Sequence, residues 1–412
     1  MLTIKLFYIL IVSFILGQLG RIELGAGLAI NISDIIFAIT LVVWLIEEIL
    51  IKRNYNIFVN ELTKPLCLFI SICLLSLLAN FSNIQLYEFI LSSLYLVRWV
   101  AYVFVFFIVY SFDQKTKLSI IKFLVLSQLL FIVLGFIQYF FYPNLRNLFY
   151  MGWDDHLYRL FSTFLDPNFA ATQINLFIFF LIMIIKDDLF SLKKFKFILI
   201  ILFGLSIAAL LLTYSRSGYI MFILGVSISF LLLNNKRLIV ILFLTFFLGV
   251  VIIPKNLGSA GIELWRTASI NARTESANNA LIIIKDHPIF GVGFNTYRYA
   301  QRKYGFIVNR SVFPSHSDAG TDNSFLFVWA TSGILGLIIY IYIWFVILRT
   351  NFASYSVTTN KSWEKNLSIL ILTSIFSLFL NALFINSLFY PNIMFWVWVI
   401  TGFGNYNLKQ IK

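Results

Sequence analysis

Residues 195–254 read FKFILIILFGLSIAALLLTYSRSGYIMFILGVSISFLLLNNKRLIVILFLTFFLGVVIIP. Three apolar runs stand back to back here, at 195–213, 218–234 and 238–254. Only the turns Thr213-Tyr-Ser-Arg-Ser-Gly218 and Asn234-Asn-Lys-Arg237 separate them. A helix of about 17–25 such residues spans a hydrocarbon core of about 30 Å. The runs are continuous rather than alternating, which excludes transmembrane β-strands. This stretch therefore reads as membrane helices joined by tight turns.

The same kind of run recurs at 2–19, 32–50, 65–80, 89–111, 119–142 and 168–185 before it, and at 324–348, 366–386 and 390–406 after it. The chain is expected to be an all-α polytopic membrane protein with about twelve transmembrane helices. Composition agrees: of 412 residues, 60% are hydrophobic and 12% charged, where soluble domains carry about 25% charge. A soluble enzyme, a secreted disulfide scaffold and a disordered chain are excluded. Cys67 and Cys73 share one apolar run and read as packing residues. Lys5 precedes FYILIVSFILG with no small-x-small site after it, which reads as a retained first helix.

The net charge of +13 is first of all a topology signal, not a sign of nucleic acid. Loops on the side of the termini hold Lys5, Lys52, Arg53, Lys64, Lys115, Lys117, Lys122, Lys186, Lys193, Lys194, Lys196, Lys236, Arg237, Arg349, Lys361, Lys365, Lys409 and Lys412. The opposite short loops hold only Arg21, Arg146, Arg159 and Arg216. Such a bias places both termini in the cytoplasm. Eight further positives between Lys255 and Arg310 fall in one long loop, and loops beyond about 60 residues cross largely regardless of charge. The expected division is helices one to nine in 1–254, a long external loop at 255–323, and helices ten to twelve in 324–412. Within that loop, Asn271–Lys285 reads as an amphipathic helix at the membrane face, stopped by Asp286-His287-Pro288. There is no internal repeat, and no pair of broken helices in matching halves as inverted-repeat transporters have.

The scarce polar residues gather in four external motifs. Arg159-Leu-Phe-Ser-Thr-Phe-Leu-Asp166-Pro167-Asn168 precedes the sixth run and is a plain helix start, with Asn168 near the N-cap, or part of a site. Thr213–Gly218 holds Arg216 between two helix ends beside hydroxyls and helix-start N–H groups. The choice is between an arginine whose head reaches water and an anion site, and the tight turn favours the anion site. Asp286-His287-Pro288-Ile-Phe-Gly291-Val-Gly293 has Arg273 upstream and Arg298, Arg302, Lys303 and Arg310 downstream. Guanidinium groups bind phosphate in bidentate fashion. Arg273 is favoured because its helix would hold it, while Arg298, Arg302 and Lys303 are equally well solvated loop charges. His316-Ser-Asp318-Ala-Gly-Thr-Asp322-Asn323 runs into the tenth helix, where Asp322 and Asn323 are caps or, alternatively, a base facing a basic site. His316, Asp318 and Asp322 form a poor metal set for so short a loop. Arg98 lies midway along the fourth run, where a charge is costly. It would face the bundle interior and meet helix carbonyls or a lipid-borne phosphate, or else form an internal structural pair.

Together these motifs resemble the O-antigen ligase/polymerase superfamily, the Wzy-like glycan polymerases and lipid-A-core ligases, over roughly residues 158–336. Their order, with the helix count and the long loop after the ninth helix, is more specific than any one of them. Gly333-Ile-Leu-Gly336 completes the set. The resemblance implies a metal-independent, GT-C-like enzyme without cofactor, acting outside the cytoplasmic membrane on glycans carried by polyprenyl pyrophosphate. It also implies flippase and chain-length-regulator partners. In the ligase branch, the counterparts of Arg216 and Arg273 are essential, and a His-Asn pair stands where this chain has Asp322-Asn323. That departure favours the polymerase branch.

The expected reaction is inverting polymerisation of lipid-linked repeat units. Arg216 and Arg273, with Arg159, Arg98, Arg298 and Asn323, would hold the pyrophosphate or substrate, and Asp322 or else His316 would take the acceptor's proton. Nearby arginines weaken a carboxylate as a base, and partial burial strengthens it. A ligase acting on a lipid, wall or protein acceptor is the near variant. A lipid-linked-glycan flippase is the rival from another class.

Overall fold

The computed structural model describes residues 2–25, 28–187, 193–253, 267–307, 316–358 and 363–406. Lys255, Arg266, Arg310, Lys361, Lys409 and Lys412 lie outside them, as does the side chain of His316. Every one of the twelve expected apolar runs is helical. The helices are α1 (Leu2–Ser13), α2 (Ile32–Trp44), α3 (Thr63–Ala79), α4 (Leu86–Tyr110), α5 (Gln114–Phe141), α6 (Pro167–Asp187), α7 (Lys193–Leu212), α8 (Arg216–Leu232) and α9 (Lys236–Ile252). After the long connection come α10 (Ala268–Asp286), α11 (Tyr297–Lys303), α12 (Ser324–Val357), α13 (Trp363–Ala382) and α14 (Pro391–Phe403). α1 continues as 3-10 turns over Phe14–Gly20, and α2 as π-helical turns over Leu45–Ile51. Among the described residues, seven helices have the length and apolarity to cross a membrane, and four shorter ones are also apolar.

Proline placement explains several boundaries. Pro65, Pro167 and Pro391 sit in first turns, where a missing N–H removes no helical bond, and Pro143 and Pro288 follow helix ends. The fold is all-α as expected, with one small addition. Arg21–Gly25 and Leu28–Asn31 pair as an antiparallel hairpin between α1 and α2. Five residues or fewer per strand left no legible alternation.

α6 lies at the centre, packed by α7, α8 and α13, and α4 packs along α14. α6, α13 and α14 are buried almost all round, while the outer faces of α1, α5 and α9 expose side chains such as Ile9, Ile137, Phe140, Leu244 and Phe247. Helices apolar on their outward faces need an apolar solvent. The protein is a multi-pass membrane protein.

α10 spans the expected Asn271–Lys285. Its apolar face, however, packs on protein: Ala280, Ile283 and Ile284 join Val292, Tyr297, Ala300, Phe327 and Ala330 in a small core against α11 and α12. The tenth run also departs from expectation, because α12 breaks at Gly333 (φ +69). The turn after α10 enters this break. Val292 N–H donates to Ala330 O at 2.9 Å, Gly293 N–H to Thr331 O at 3.0 Å, and Ile334 N–H to Pro288 O at 2.9 Å. From α3, the Ser76 hydroxyl donates to Phe290 O and Thr331 O, and Asn80 Nδ2 to Gly291 O. A broken helix frees backbone groups that must find partners, and this loop supplies them.

Candidate active site

The site is assembled at one end of the bundle from the starts of α6, α8 and α12 and the length of α10. Asp166 caps α6: its Oδ1 accepts from Asn168 N–H at 2.6 Å and from Phe169 N–H at 3.3 Å. The cap is therefore Asp166 rather than the expected Asn168, because Pro167 takes the first helical position and puts Asp166 just before it. Asn168 does something else. Its Oδ1 accepts from the Ser215 hydroxyl at 2.9 Å and from Arg159 Nη2 at 3.4 Å.

Arg159 is 5% exposed, and its Nε donates to Thr213 O at 2.9 Å. It ties the first motif to the second, helped by Leu160 N–H donating to Leu212 O at 2.8 Å. Ser215 caps α8, accepting from Gly218 N–H. Tyr214, at φ +49, makes the turn sharp. Arg216 follows as the first residue of α8, half-buried, and donates to the Ser269 hydroxyl of α10.

Ser269 and Arg273 are four residues apart and share a face of α10. Burial pushes the Arg273 guanidinium below its usual pKa; Asp322 opposes that shift, Arg216 adds to it, and Asp166 opposes it again. Three residues further along α10, the Ser276 hydroxyl donates to Thr321 Oγ1 and accepts from Asp322 N–H, each at 3.2 Å. Asp322 is water-accessible, yet its surroundings desolvate it and push its carboxyl above the usual range. Arg273 acts against that shift, while Asp166 and Asp154 reinforce it. Arg159, Arg216, Arg273 and Asp322 are thus brought to one end of the bundle, with Asp166 a neighbour of both Arg273 and Asp322.

The other expected residues have partners of their own. Asn323 Oδ1 caps α12, accepting from Phe325 and Leu326 N–H at 2.9 and 3.0 Å, and its Nδ2 donates to Leu383 O. Arg98 of α4 forms an ion pair with Asp34 of α2, Nη2 to Oδ2 at 2.8 Å. Asp34 Oδ1 also accepts from Tyr102 at 2.9 Å. Arg98 is therefore met by a side-chain carboxylate rather than by helix carbonyls. Arg298 lies on α11, with Tyr95 and Asp318 among its charge partners. Among the described residues, no three His, Cys, Asp or Glu side chains gather as a metal set.

Sequence reasoning passed over His156 and Asp154. Both stand in Asp154-Asp155-His156, just before Arg159, and His156 is one of only three histidines. That scarcity beside a motif arginine was the available signal.

This is a polytopic helical membrane protein with a basic cluster and a carboxylate at one end of its bundle. Residues 201–341, from α7 into α12, match the Wzy_C family model, described as O-antigen ligase. The match includes Arg216, Arg273 and Asp322, in keeping with the resemblance read from the motifs. No curated protein matches the chain.

Proposed function

We propose that the protein polymerises polyprenyl-pyrophosphate-linked oligosaccharide repeats into a surface polysaccharide by inverting glycosyl transfer at the extracytoplasmic face. The observation that carries this reading is the meeting of Arg216 and Arg273 with Asp322 across α8, α10 and the start of α12. The charge bias of the loops supports putting that end outside.

The donor's anomeric carbon bears a pyrophosphate, whose departure needs charge stabilisation more than protonation. Arg216 and Arg273 supply two fixed cations for it, and the start of α8 adds N–H groups. As the acceptor hydroxyl attacks, its proton passes to Asp322. The new C–O bond forms as the bond to pyrophosphate breaks, and the electron pair leaves with the polyprenyl pyrophosphate. Desolvation of Asp322 makes it a better base than a free aspartate. Arg159 holds the two motifs in register.

The ligase variant is favoured by one observation, the O-antigen ligase description of the matched family. It uses the same donor chemistry and differs only in the acceptor. The test is reconstituted protein with a lipid-linked repeat unit, its products separated by size, for wild type, Arg216→Ala and Asp322→Ala. A ladder of multiples lost in both variants supports polymerisation. Transfer of one glycan to an added acceptor without a ladder makes it a ligase. Lipid translocation without transfer refutes both.

A further inference from the structure

Two serines of α10, Ser269 and Ser276, flank Arg273. Residues at these spacings return to one face of a helix. All three side chains are half-buried, on the face that continues into the buried Ala280, Ile283 and Ile284. Each hydroxyl is taken by a different element. Arg216, the first residue of α8, donates through Nη2 to Ser269 Oγ. Ser276 Oγ accepts from Asp322 N–H and donates to Thr321 Oγ1, each at 3.2 Å. Thr321 is buried, so this contact reaches into protein rather than water.

The chain after Asp322 is fixed by the start of α12. Asn323 caps that helix, and Ser324 Oγ accepts from Leu388 N–H at 3.2 Å. Ser276 fixes the main chain on the other side, at Thr321 and at the Asp322 N–H. We propose that Ser276 is a positioning residue of the site, and that with Ser269 it makes α10 the spacer between Arg216 and Asp322.

Two turns of helix set the two serines about 10 Å apart. In-line transfer needs a length of that order between the base and the cation at the leaving group. It comprises two hydrogen bonds of about 3 Å and a reacting gap of about 3–3.5 Å beside the breaking bond. Ser276 touches none of the reacting atoms. It holds the main chain that carries the carboxylate, one turn along α10 from Arg273. A displaced Asp322 therefore changes both its reach to the acceptor hydroxyl and its distance from Arg273. A misplacement of about 1 Å costs up to about a hundredfold in such a step.

The inference rests on the transferase reading above, and one set of assays separates the two. Transfer from a polyprenyl-pyrophosphate-linked repeat unit is measured across pH for wild type, Ser276→Ala, Ser276→Thr, Ser269→Ala and Asp322→Asn, each with its melting midpoint in detergent. In Ser276→Ala, kcat should fall about tenfold or more with KM little changed. Ser276→Thr keeps the hydroxyl and should recover most of that loss. The acid limb of kcat should also move in Ser276→Ala, by about half a unit or more. Either sign counts, because burial, Asp166 and Asp154 hold the Asp322 carboxyl up while Arg273 holds it down. In Ser269→Ala, transfer should fall with the limb in place, since that serine holds Arg216. Wild-type-like kcat in a folded Ser276→Ala overturns the proposal and leaves the transferase reading standing. A lost kcat with an unmoved limb, or an equal loss in Ser276→Thr, also overturns it, and the serine then only ties α10 to α12. If Ser276→Ala does not fold, Ser276→Cys, a weaker donor and acceptor, carries the same test. No transfer by wild type, or full transfer by Asp322→Asn, overturns both.

Discussion

Gly333 stands against Ile289: a β-carbon on Gly333 would overlap the Ile289 carbonyl oxygen, and one on Gly291 would lie 2.5 Å from the Thr331 carbonyl carbon. Both residues have positive φ, +69° and +65°. These two glycines let the turn after α10 enter the break in α12, and the contact keeps Arg273 and Asp322 on one platform. Alanine at either position meets both a backbone conformation disfavoured by about 1–3 kcal/mol and a clash with main chain that cannot swing away. Gly333→Ala and Gly291→Ala should each lower the thermal midpoint in detergent and reduce transfer in parallel. A variant with wild-type melting would show that the close approach is not needed.

The pair Arg98–Asp34 ties α4 to α2. Removing one member of a largely buried ion pair leaves an uncompensated charge and costs about 3–5 kcal/mol, whereas replacing both by apolar groups is often neutral. Arg98→Leu and Asp34→Leu should each destabilise strongly, and the double variant should recover most of the loss in a thermal-unfolding cycle. Additive losses would mean that Arg98 has a partner of greater weight than Asp34.

What was legible in the sequence follows from how each signal is written. The apolar helices were legible because hydrocarbon demands unbroken apolar runs. The break in α12 was not, since Gly333 sits inside such a run and its partner, Ile289, lies more than forty residues upstream. Arg216 stood out because an arginine in a tight turn between two apolar runs is rare in so apolar a chain. Asp34 was hidden at the start of a run that otherwise reads as membrane. His156 escaped because its motif has no helix of its own. Only the fold sets Asp166, at the start of α6, among its charge partners.

Arg216 and Arg273 are proposed to meet the leaving pyrophosphate, so geometry should matter as well as charge. Arg216→Lys and Arg273→Lys keep the cation but lose the planar fork. Each should lower kcat/KM at least tenfold, and alanine further, with melting points close to wild type because both side chains are only half-buried. Full activity in the lysine variants would reduce their role to general positive potential.

The raised pKa of Asp322 makes a prediction with two signs. As a base it must be ionised, so the acid limb of kcat should lie above the ordinary aspartate value of about 3.9. Arg273→Gln removes the charge that holds Asp322 down, and should move that limb to higher pH. For stability the direction is opposite. A carboxyl whose folded pKa exceeds its unfolded value favours folding while protonated, and that contribution disappears as pH rises through the folded pKa. At neutral pH the wild type therefore bears a strained carboxylate. Asp322→Asn should melt higher than wild type at pH 7, the difference shrinking as pH falls through the raised folded pKa and gone below about pH 4, while its transfer activity falls by orders of magnitude. A variant that is inactive and also less stable at pH 7 would show that Asp322 is held by favourable contacts, and that its role is to anchor α10 rather than to take a proton.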